Sequence, residues 1–462
     1  MSVENISSSE IDYSMKTYSH RSPLEIKIAP ITSLAPTLDL TAPVGPTTFQ
    51  IPSKVISLGN SHIGFDLSFT DPGVNLTHWF QGNMACAIER VVLSSVGSNV
   101  ILADISNVGN YCEAVCAHST SLSDFLTKPV YKSGILDATL ANSQLYPVED
   151  IQRSDALESA NYISGDFESA TNTTDSAISY NAVRHLFSGT SGSAGGGYAV
   201  TISVKLPLST FKFSALAIKK LLYFNGESLN LDVYFAPVGR YTFKATASTS
   251  PLTGGAVQTI VPTISNLNFY ASVEQNVDLV NSIVNEVRTK GIRMPLPVVW
   301  ASKNNLGAGA QSINLIYTKG HGSTLCAVFW SPYNNSETGQ LQKNHTSQPI
   351  TQYNTYLNQI PILTNNDIVC AKNEHYFFNK AHLKGSAIQS GISYSNQFTH
   401  IDNFTGMPLH EFAEKSTILN GISLAENQTW SLNATTTAQL NNYVFWVCQK
   451  ELTISSAGIQ VA

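Results

Sequence analysis

The sequence predicts an all-β protein that consists of two consecutive jelly-roll β-sandwiches, joined by a short helix and preceded by an extended N-terminal arm. Three observations predict this fold class. Apolar and polar residues alternate along many short segments, as expected for strands that bury one face. One segment near the middle of the chain has the clear periodicity of a helix. Long polar connections separate the short strands, which is typical of sandwiches with Greek-key crossings and not of a βαβ fold.

Residues 1–45 are predicted to form an arm that lies outside the core. This segment is polar and carries prolines near its end. Its basic residues are Lys16, Arg21 and Lys27, and its acidic residues are Glu4, Glu10, Asp12, Glu25 and Asp39. Because acidic residues outnumber basic ones, the arm lacks the attraction to phosphate on which non-specific nucleic-acid binding depends. If the arm binds a partner, we expect recognition by shape or by strand addition.

Residues 46–275 are predicted to form the first jelly roll. Strands are expected at 63–69, 90–96, 100–105, 200–206, 229–235 and 267–273. The run Gly97-Ser98-Asn99 is a hairpin signal, and residues 106–126 have weak helical signals. A polar insertion at 129–198 ends in a glycine-rich stretch. Connections of this length in a strand-rich domain are usually functional or exposed.

The segment between Asn276 and Gly291 is predicted to be the connecting helix. Asn276 can cap its first turn, where Asp278 also lies, and the last turn carries Arg288 and Lys290. Its apolar stripe consists of Val277, Val280, Ile283, Val284 and Val287. Gly291 then allows the left-handed backbone that ends many helices, and two prolines just beyond it prevent continuation.

Residues 292–458 are predicted to form the second jelly roll. Strands are expected at 292–300, 313–317, 325–330, 367–371, 430–432 and 443–447. The tryptophans of the chain lie in strand-like or apolar context, so they are predicted to fill sandwich cores and not to stack on sugars. They are Trp79, Trp300, Trp330, Trp430 and Trp446.

The composition narrows the function classes. The chain has 462 residues, a net charge of −6 and only 13% charged side chains, whereas soluble domains typically carry about 25%. Its surface is therefore expected to be hydrated mainly by Ser, Thr, Asn and Gln. No apolar stretch approaches the ~18–20 residues of a membrane span, and the N-terminus has no basic start followed by an apolar block, as a secretory signal would. The charge balance also argues against binding nucleic acid through bulk positive charge.

The cysteines do not predict a disulfide framework or a metal site. Four of them, Cys86, Cys326, Cys370 and Cys448, lie in or beside apolar stretches and are interpreted as small core residues. Cys112, Cys116 and His118 have a metal-like spacing, but zinc needs four ligands and no second cluster fits. We therefore expect two thiols on a buried helical face, in a protein made in a reducing compartment.

No catalytic, cofactor-binding or metal-ligating residue is predicted. The stretch Gly189–Gly197 lacks the lysine of a phosphate-binding loop, leads into a strand, and does not form a nucleophile elbow. The histidines have no metal-binding spacing, as at His321, His375 and His382. A glycosidase would need a carboxylate pair, for which Glu149 with Asp150 and Asp402 with Glu411 are candidates that only geometry can test. An enzyme is therefore not predicted.

The order of features gives a more specific indication. A polar arm is followed by a jelly roll with a large insertion, a helix, a second jelly roll and a C-terminal strand ending near Val461. Segments that carry the resemblance are 203–209, 217–226, 229–235, 261–273, 373–379, 383–385, 420–424, 443–448 and 452–454. Over residues 45–458 this order resembles the double jelly-roll major capsid proteins of icosahedral DNA viruses. That family includes proteins of virophages, polinton-like viruses, large nucleo-cytoplasmic DNA viruses and membrane-containing tailless phages and, more distantly, adenovirus hexon.

The resemblance implies assembly and not turnover. In such proteins two sandwiches stand side by side, three chains form a pseudo-hexagonal homotrimer, and trimers tile the virion shell. The insertion 129–198 and the loops at 331–346 would then be candidates for outward-facing towers. The arm 1–45 would reach a neighbouring capsomer, a minor capsid or penton protein, or an internal membrane. No cofactor and no sequence-specific nucleic-acid binding are implied.

Two alternatives remain open from the sequence. One is an RNA-virus capsid subunit with a single jelly roll and a projecting domain, although the acidic balance of the arm argues against it. The other is a carbohydrate-binding or glycosidase-like β-sandwich protein. Two sandwiches in one chain would favour the double jelly-roll prediction over the first alternative. The positions of the tryptophans and carboxylates bear on the second alternative.

Overall fold

The structure is a computed structural model, and it describes most of the chain. The described residues are 21–31, 35–71, 76–81, 84–116, 119, 183–188, 198–246, 256–257, 260–315, 323–331, 350–370, 398–406, 419, 421–422 and 428–462.

Strands dominate the described residues, and every pairing between them is antiparallel. The strands are β1 (Pro23–Ile28), β2 (Val44–Ile51), β3 (Ile56–Asp71), β4 (Leu76–Gln81), β5 (Ile88–Ser95), β6 (Ile101–Ser106), β7 (Val183–Ser188), β8 (Tyr198–Pro207), β9 (Leu229–Phe235), β10 (Thr242–Thr246), β11 (Ala256–Val257), β12 (Thr263–Glu274), β13 (Ile292–Leu306), β14 (Gly309–Asn314), β15 (Ser323–Ser331), β16 (Ile350–Leu357), β17 (Ile360–Pro361), β18 (Ile368–Val369), β19 (Phe398–Asn403), β20 (Trp430–Thr436), β21 (Leu440–Ser455) and β22 (Gly458–Val461). The α-helices are α1 (Val108–Tyr111), α2 (Val238–Tyr241) and α3 (Val277–Thr289), with 3-10 helical turns at Met84–Ala87, Leu208–Thr210 and Ala215–Ala217 and a π-helical turn at Cys112–Cys116.

The first sandwich consists of two four-stranded sheets that pack face to face. Their strand orders are β1-β12-β3-β8 and β2-β9-β5-β6. Since β3 pairs with β8 and β12 and not with its neighbours in sequence, the connections cross in the manner of a jelly roll. Phe49 approaches Phe269, and Phe65 meets Phe235 edge to face, so aromatic rings from both sheets fill the space between them.

The second sandwich repeats this plan. Its sheets have the orders β13-β21-β15-β19 and β14-β20-β16-β17, with β22 beside β21 and β18 beside β16. Trp430 and Trp446 come from opposite sheets and meet edge to face, with ring centroids 4.8 Å apart. Trp330 is also fully buried, so the predicted role of these three tryptophans as core residues is confirmed.

The predicted hairpin and strands overlap observed elements, although the strand expected at 313–317 overlaps β14 only at residues 313–314 and the one expected at 367–371 overlaps β18 only at residues 368–369. In β9 every second residue is buried, as period-two burial requires. The predicted hairpin is the pair β5 and β6, whose connection places Asn99 at a φ of 52°. The weak helical signal after residue 106 corresponds to α1 and the turn that follows it.

The connecting helix is confirmed in detail, apart from one residue of its stripe. The side chain of Asn276 accepts hydrogen bonds from the backbone N–H groups of Asp278 and Leu279, at 3.1 and 3.2 Å. Gly291 has a φ of 74°, a conformation that disfavours other residues. The stripe packs on the core from Val280 to Val287, but Val277 is 67% exposed because it lies at the first helical position, beyond the edge of the core.

The two prolines after the helix lie inside a strand. Pro295 and Pro297 belong to β13, which pairs with β21 alone and is the edge strand of its sheet. An edge strand tolerates proline because one of its sides needs no N–H donors.

The N-terminal segment is more closely attached than predicted. Residues 23–28 form β1 and pair with β12 at the edge of the first sandwich. Leu38 is buried in the first core, so the expectation that residues 1–45 lie outside the core is wrong for Leu38. Residues 1–20 lie outside the described residues.

A third four-stranded sheet, β11-β10-β4-β7, was not predicted. It includes β7, which belongs to the predicted insertion 129–198. Apart from β7 and Tyr198, this insertion lies outside the described residues, as do the predicted tower loops beyond Ser331.

Candidate functional site

The contact between the two sandwiches is built on a sheet that is buried on both faces. In β21, Tyr443, Phe445 and Val447 belong to the core shared with the first sandwich. The alternate residues Val444, Trp446 and Cys448 belong to the core of the second sandwich. This explains why residues 440–448 are buried without interruption, because a strand that is covered on both faces exposes neither set of alternate side chains. The two polar residues of this run, Asn441 and Asn442, are buried as well, and Asn442 Nδ2 donates to Ser331 Oγ at 2.7 Å.

β15 continues the same arrangement beside β21. Cys326, Val328 and Trp330 face the core shared with the first sandwich, whereas Ala327 and Phe329 face the second. From the first sandwich, Tyr111 of α1 reaches the ring of Phe445, with centroids 6.0 Å apart. The two sandwiches are therefore joined through apolar packing that involves whole strands.

A polar contact fastens the same two units at another point. The turn between β5 and β6 places Ser98 so that its backbone N–H donates to Glu227 Oε2 at 2.7 Å, and its hydroxyl donates to Glu227 Oε1. The N–H of Ile459 in β22 donates to Ser98 Oγ at 3.4 Å. Gly458 has a φ of 111°, and a Cβ there would lie 3.2 Å from Ser98 Oγ, so this position favours glycine.

The second sandwich contains a buried polar cluster that the sequence analysis missed. His400 Nε2 lies 2.6 Å from Asp402 Oδ1, and His400 Nδ1 lies 3.0 Å from the hydroxyl of Tyr353. Thr355 Oγ1 donates to Asp402 Oδ1 at 3.1 Å. His400 and Asp402 belong to β19, whereas Tyr353 and Thr355 belong to β16 of the opposite sheet. The cluster is therefore a hydrogen-bonded tie between the two sheets.

Burial limits what this cluster can do chemically. His400 is 0% exposed and Asp402 1% exposed, so a solute cannot reach them without opening the sandwich. Asp402 was a candidate glycosidase acid, but its contacts are internal, and Glu411 lies outside the described residues. The only signal in the sequence for this cluster is a histidine two positions before an aspartate in a strand-length segment, which also fits a solvated strand.

The remaining candidates from the sequence form no site among the described residues. Cys112 is buried in the first core, whereas His118 and the side chain of Cys116 are not described. Where placement is described, no group of three His, Cys, Asp or Glu residues could hold a metal ion. The positions that lie outside the described residues are His321, His375, His382, Glu149, Asp150 and Gly189–Gly197.

The other cysteines behave as small core residues, as predicted, with one exception. Cys86, Cys326 and Cys448 are buried, but Cys370 is only half-buried. Burial raises the pKa of the Cys326 and Cys448 thiols, which keeps them protonated and unreactive. Trp300 is also half-buried and stacks on Trp446, and the side chain of Trp79 is not described.

Hydrogen-bonded polar and charged side chains lie on the outward faces of the first sandwich. Asp66 Oδ2 accepts a hydrogen bond from Asn266 Nδ2 at 2.6 Å. Arg90 makes a two-bond contact with Asp104 across β5 and β6, at 2.8 and 2.6 Å. Such surfaces can form hydrated contacts with other molecules without removing many ions from water.

Comparisons with known proteins bear on the fold as a whole. The sequence matches no protein-family model and no curated protein. Solved structures are similar over nearly the entire chain. The mavirus major capsid protein is 10% identical at a TM-score of 0.54, covering 99% of this chain and 94% of that protein. The Faustovirus major capsid protein is 11% identical at 0.53, covering 98% and 94%. PBCV-1 VP54, fitted into a reconstruction of the virophage Sputnik, is 10% identical at 0.55, covering 98% and 99%.

These similarities establish the fold. The chain has the double jelly-roll fold of these proteins, so the predicted fold class is confirmed, and the alternative with a single jelly roll and a projecting domain is wrong. Among the described residues no helix is long and apolar enough to cross a membrane.

Proposed function

We propose that this protein is a structural major capsid protein that forms homotrimeric, pseudo-hexagonal capsomers and tiles an icosahedral virion shell. The observation that carries the proposal is the presence of two similar sandwiches in one chain, with eight and ten strands among the described residues, joined through a sheet with two buried faces. The mavirus and Faustovirus proteins, which share this fold over almost their whole length, are major capsid proteins.

The pseudo-hexagonal outline follows from symmetry. Three chains with two similar sandwiches each supply six nearly equivalent corners, and a three-fold ring closes through heterologous contacts. The packing between the sandwiches supports this role because a shared apolar core holds the two sandwiches of each chain together. Obligate subunit contacts of this kind commonly bury about 2,000–5,000 Å².

The proposed role is structural and not enzymatic. The buried His400–Asp402 pair is the main titratable cluster described, and it is closed to solutes. Three of the tryptophans that a sugar-binding surface would require are buried in cores. Nothing in the described geometry favours the glycosidase or lectin alternative.

The proposal extends to partners and location. The protein's main partner is itself, in trimers and between neighbouring capsomers of the virion shell. Residues 1–20 precede the edge strand β1, and the proposed target of this part of the arm is a neighbouring capsomer, a minor capsid or penton protein, or an internal membrane. The segments 129–198 and 331–346 supply the outward-facing towers.

The decisive experiment is native mass spectrometry of the purified chain combined with negative-stain imaging. We expect a mass of three chains and particles with a hexagonal outline. A stable monomer at micromolar concentration would contradict the proposal. A glycan array on the same sample tests the carbohydrate-binding alternative, since a monomer that binds sugars would support a lectin and contradict the capsid proposal.

A further inference from the structure

A buried carboxylate lies where the N-terminal strand joins the first sandwich. Glu274 is the last residue of β12, and its side chain is 0% exposed. Its Oε1 accepts the backbone N–H of Ser22 at 2.7 Å, and those of Gln275 and Asn276 at 3.1 and 3.0 Å. Its Oε2 lies 3.5 Å from Arg21 Nε, an ion pair too long for a hydrogen bond. One side chain therefore links residues 21–22 to the start of α3.

Besides its ladder with β12, the strand that follows has few other attachments. The N–H of Gln275 also donates to the Ser22 carbonyl at 3.0 Å, and Glu25 lies 3.3 Å from His62. β1 pairs with β12 alone, three of its first four residues are exposed, and only Ile26 and Ile28 pack partly on the core. Beyond β1, the N–H of Ile31 donates to the carbonyl of Thr48 at 2.9 Å. Because an edge strand with little burial has low local stability, its end contacts determine how often it separates.

We propose that Glu274 is a clasp for a detachable N-terminal strand. While the carboxylate is charged, it holds residues 21–22 and keeps β1 on the sheet. When the charge is lost, residues 21–31 leave the edge of β12 as a unit, whereas the two sandwiches stay folded. The inference does not rest on the proposed function, because it concerns only contacts within the chain.

The electrostatics of the clasp give it a defined pH dependence. Burial alone would raise the pKa of Glu274, but the N–H groups of Asn276, Ser22 and Gln275, with Arg21, outweigh burial and lower it. A lowered pKa means that the stabilisation is present above the unfolded pKa of about 4.3 and is lost as pH falls through the folded value.

The pH effects of other charged groups on the adjoining elements have to be distinguished from the effect of Glu274. Asp278 lies in the first turn of α3, and Lys54 precedes Val55, whose carbonyl accepts the N–H of Glu274. On β1 itself, Glu25 lies 3.3 Å from His62, whose pKa is lowered to about 4, first by burial and then by Lys205. His62 therefore titrates in the same acidic range, and because Glu25 is its partner on β1, Glu25→Gln is the matched control.

The test is hydrogen exchange of the full chain, with residues 440–455 of β21 as internal reference and intrinsic rates corrected for pH. For the unaltered chain we expect protection of residues 24–28 to stay constant from pH 7 down to about pH 4.3 and to fall below that pH, before the reference changes. Glu274→Gln should lower this protection at pH 7 at least tenfold and abolish the pH step. Glu25→Gln should retain the step.

A second variant removes one hydrogen-bond donor to Glu274, the backbone N–H of Ser22, and keeps the carboxylate. Ser22→Pro deletes one N–H donor and leaves Glu274 in place, and it should also lower protection of β1 without changing β21. A pH step that disappears in Glu25→Gln and persists in Glu274→Gln would overturn the proposal and assign the effect to the Glu25–His62 pair. Global unfolding in both Glu274→Gln and Ser22→Pro would also overturn it, because β1 would then be an integral strand.

Discussion

The buried tie between the sheets of the second sandwich makes a quantitative prediction about stability. His400→Phe preserves an aromatic ring beside Phe329 and Tyr353 but removes the closest partner of Asp402, whose carboxylate is 1% exposed. Among the described residues, the carboxylate would keep only the Thr355 hydroxyl at 3.1 Å as a donor. Breaking a buried pair of this kind costs about 3–5 kcal/mol, because the remaining charge is neither solvated nor paired.

The double-mutant cycle with Asp402→Asn distinguishes pairing from packing. Asp402→Asn replaces the carboxylate by a neutral amide, which loses less free energy when His400 is absent. The free energy of unfolding lost in the double variant should therefore be smaller than the sum of the losses in the two single variants, by about 1.5–3 kcal/mol. The assay is urea unfolding followed by tryptophan fluorescence at fixed protein concentration. Trp430 and Trp446 lie in the same core and report on this sandwich.

The matched control is His62→Phe. Like His400, His62 contacts a tyrosine ring, here by stacking on Tyr270, but its carboxylate partner Glu25 is 54% exposed. We expect a cost below about 1 kcal/mol, since water can replace the lost partner. If His400→Phe also costs less than 1 kcal/mol, or if the cycle shows no coupling, the interpretation of this cluster as a structural tie is wrong.

Three further predictions follow from the described contacts. Phe445 and Trp446 lie on opposite faces of β21, and Phe445→Ala and Trp446→Ala should each lower the free energy of unfolding by about 3–5 kcal/mol. Limited proteolysis should show the two sandwiches separating only in Phe445→Ala. Identical cleavage patterns in both variants would contradict a sheet that is buried on two faces. Glu227→Ala removes both contacts to Ser98 and should lower the free energy of unfolding by about 1–3 kcal/mol in urea titrations, whereas Glu451→Ala, in an exposed ion pair, should have little effect. Deletion of residues 1–20 spares β1 and should leave trimers intact by native mass but impair shell assembly in imaging; unchanged particle yield would refute a role for the arm.

Local sequence patterns predicted the elements that depend on near neighbours in the chain. Asn276 and Gly291 mark the ends of α3, since capping and a left-handed residue act within one turn. The alternation in β9 and the hairpin turn at Asn99 are similarly local. Elements without such a pattern were missed, notably β16 and β19, whose buried face carries Tyr353, His400 and Asp402 in place of aliphatic residues.

The sequence by itself determined the class of the fold, the connecting helix and the polar, weakly charged surface, because these depend on composition and on periods of two or 3.6 residues. Only the tertiary structure decided which partners distant residues find. It paired β1 with β12, turned Glu274 toward Ser22, and placed one face of β21 against the first sandwich. These contacts join residues up to hundreds of positions apart, and their energies depend on burial and geometry that no local pattern encodes.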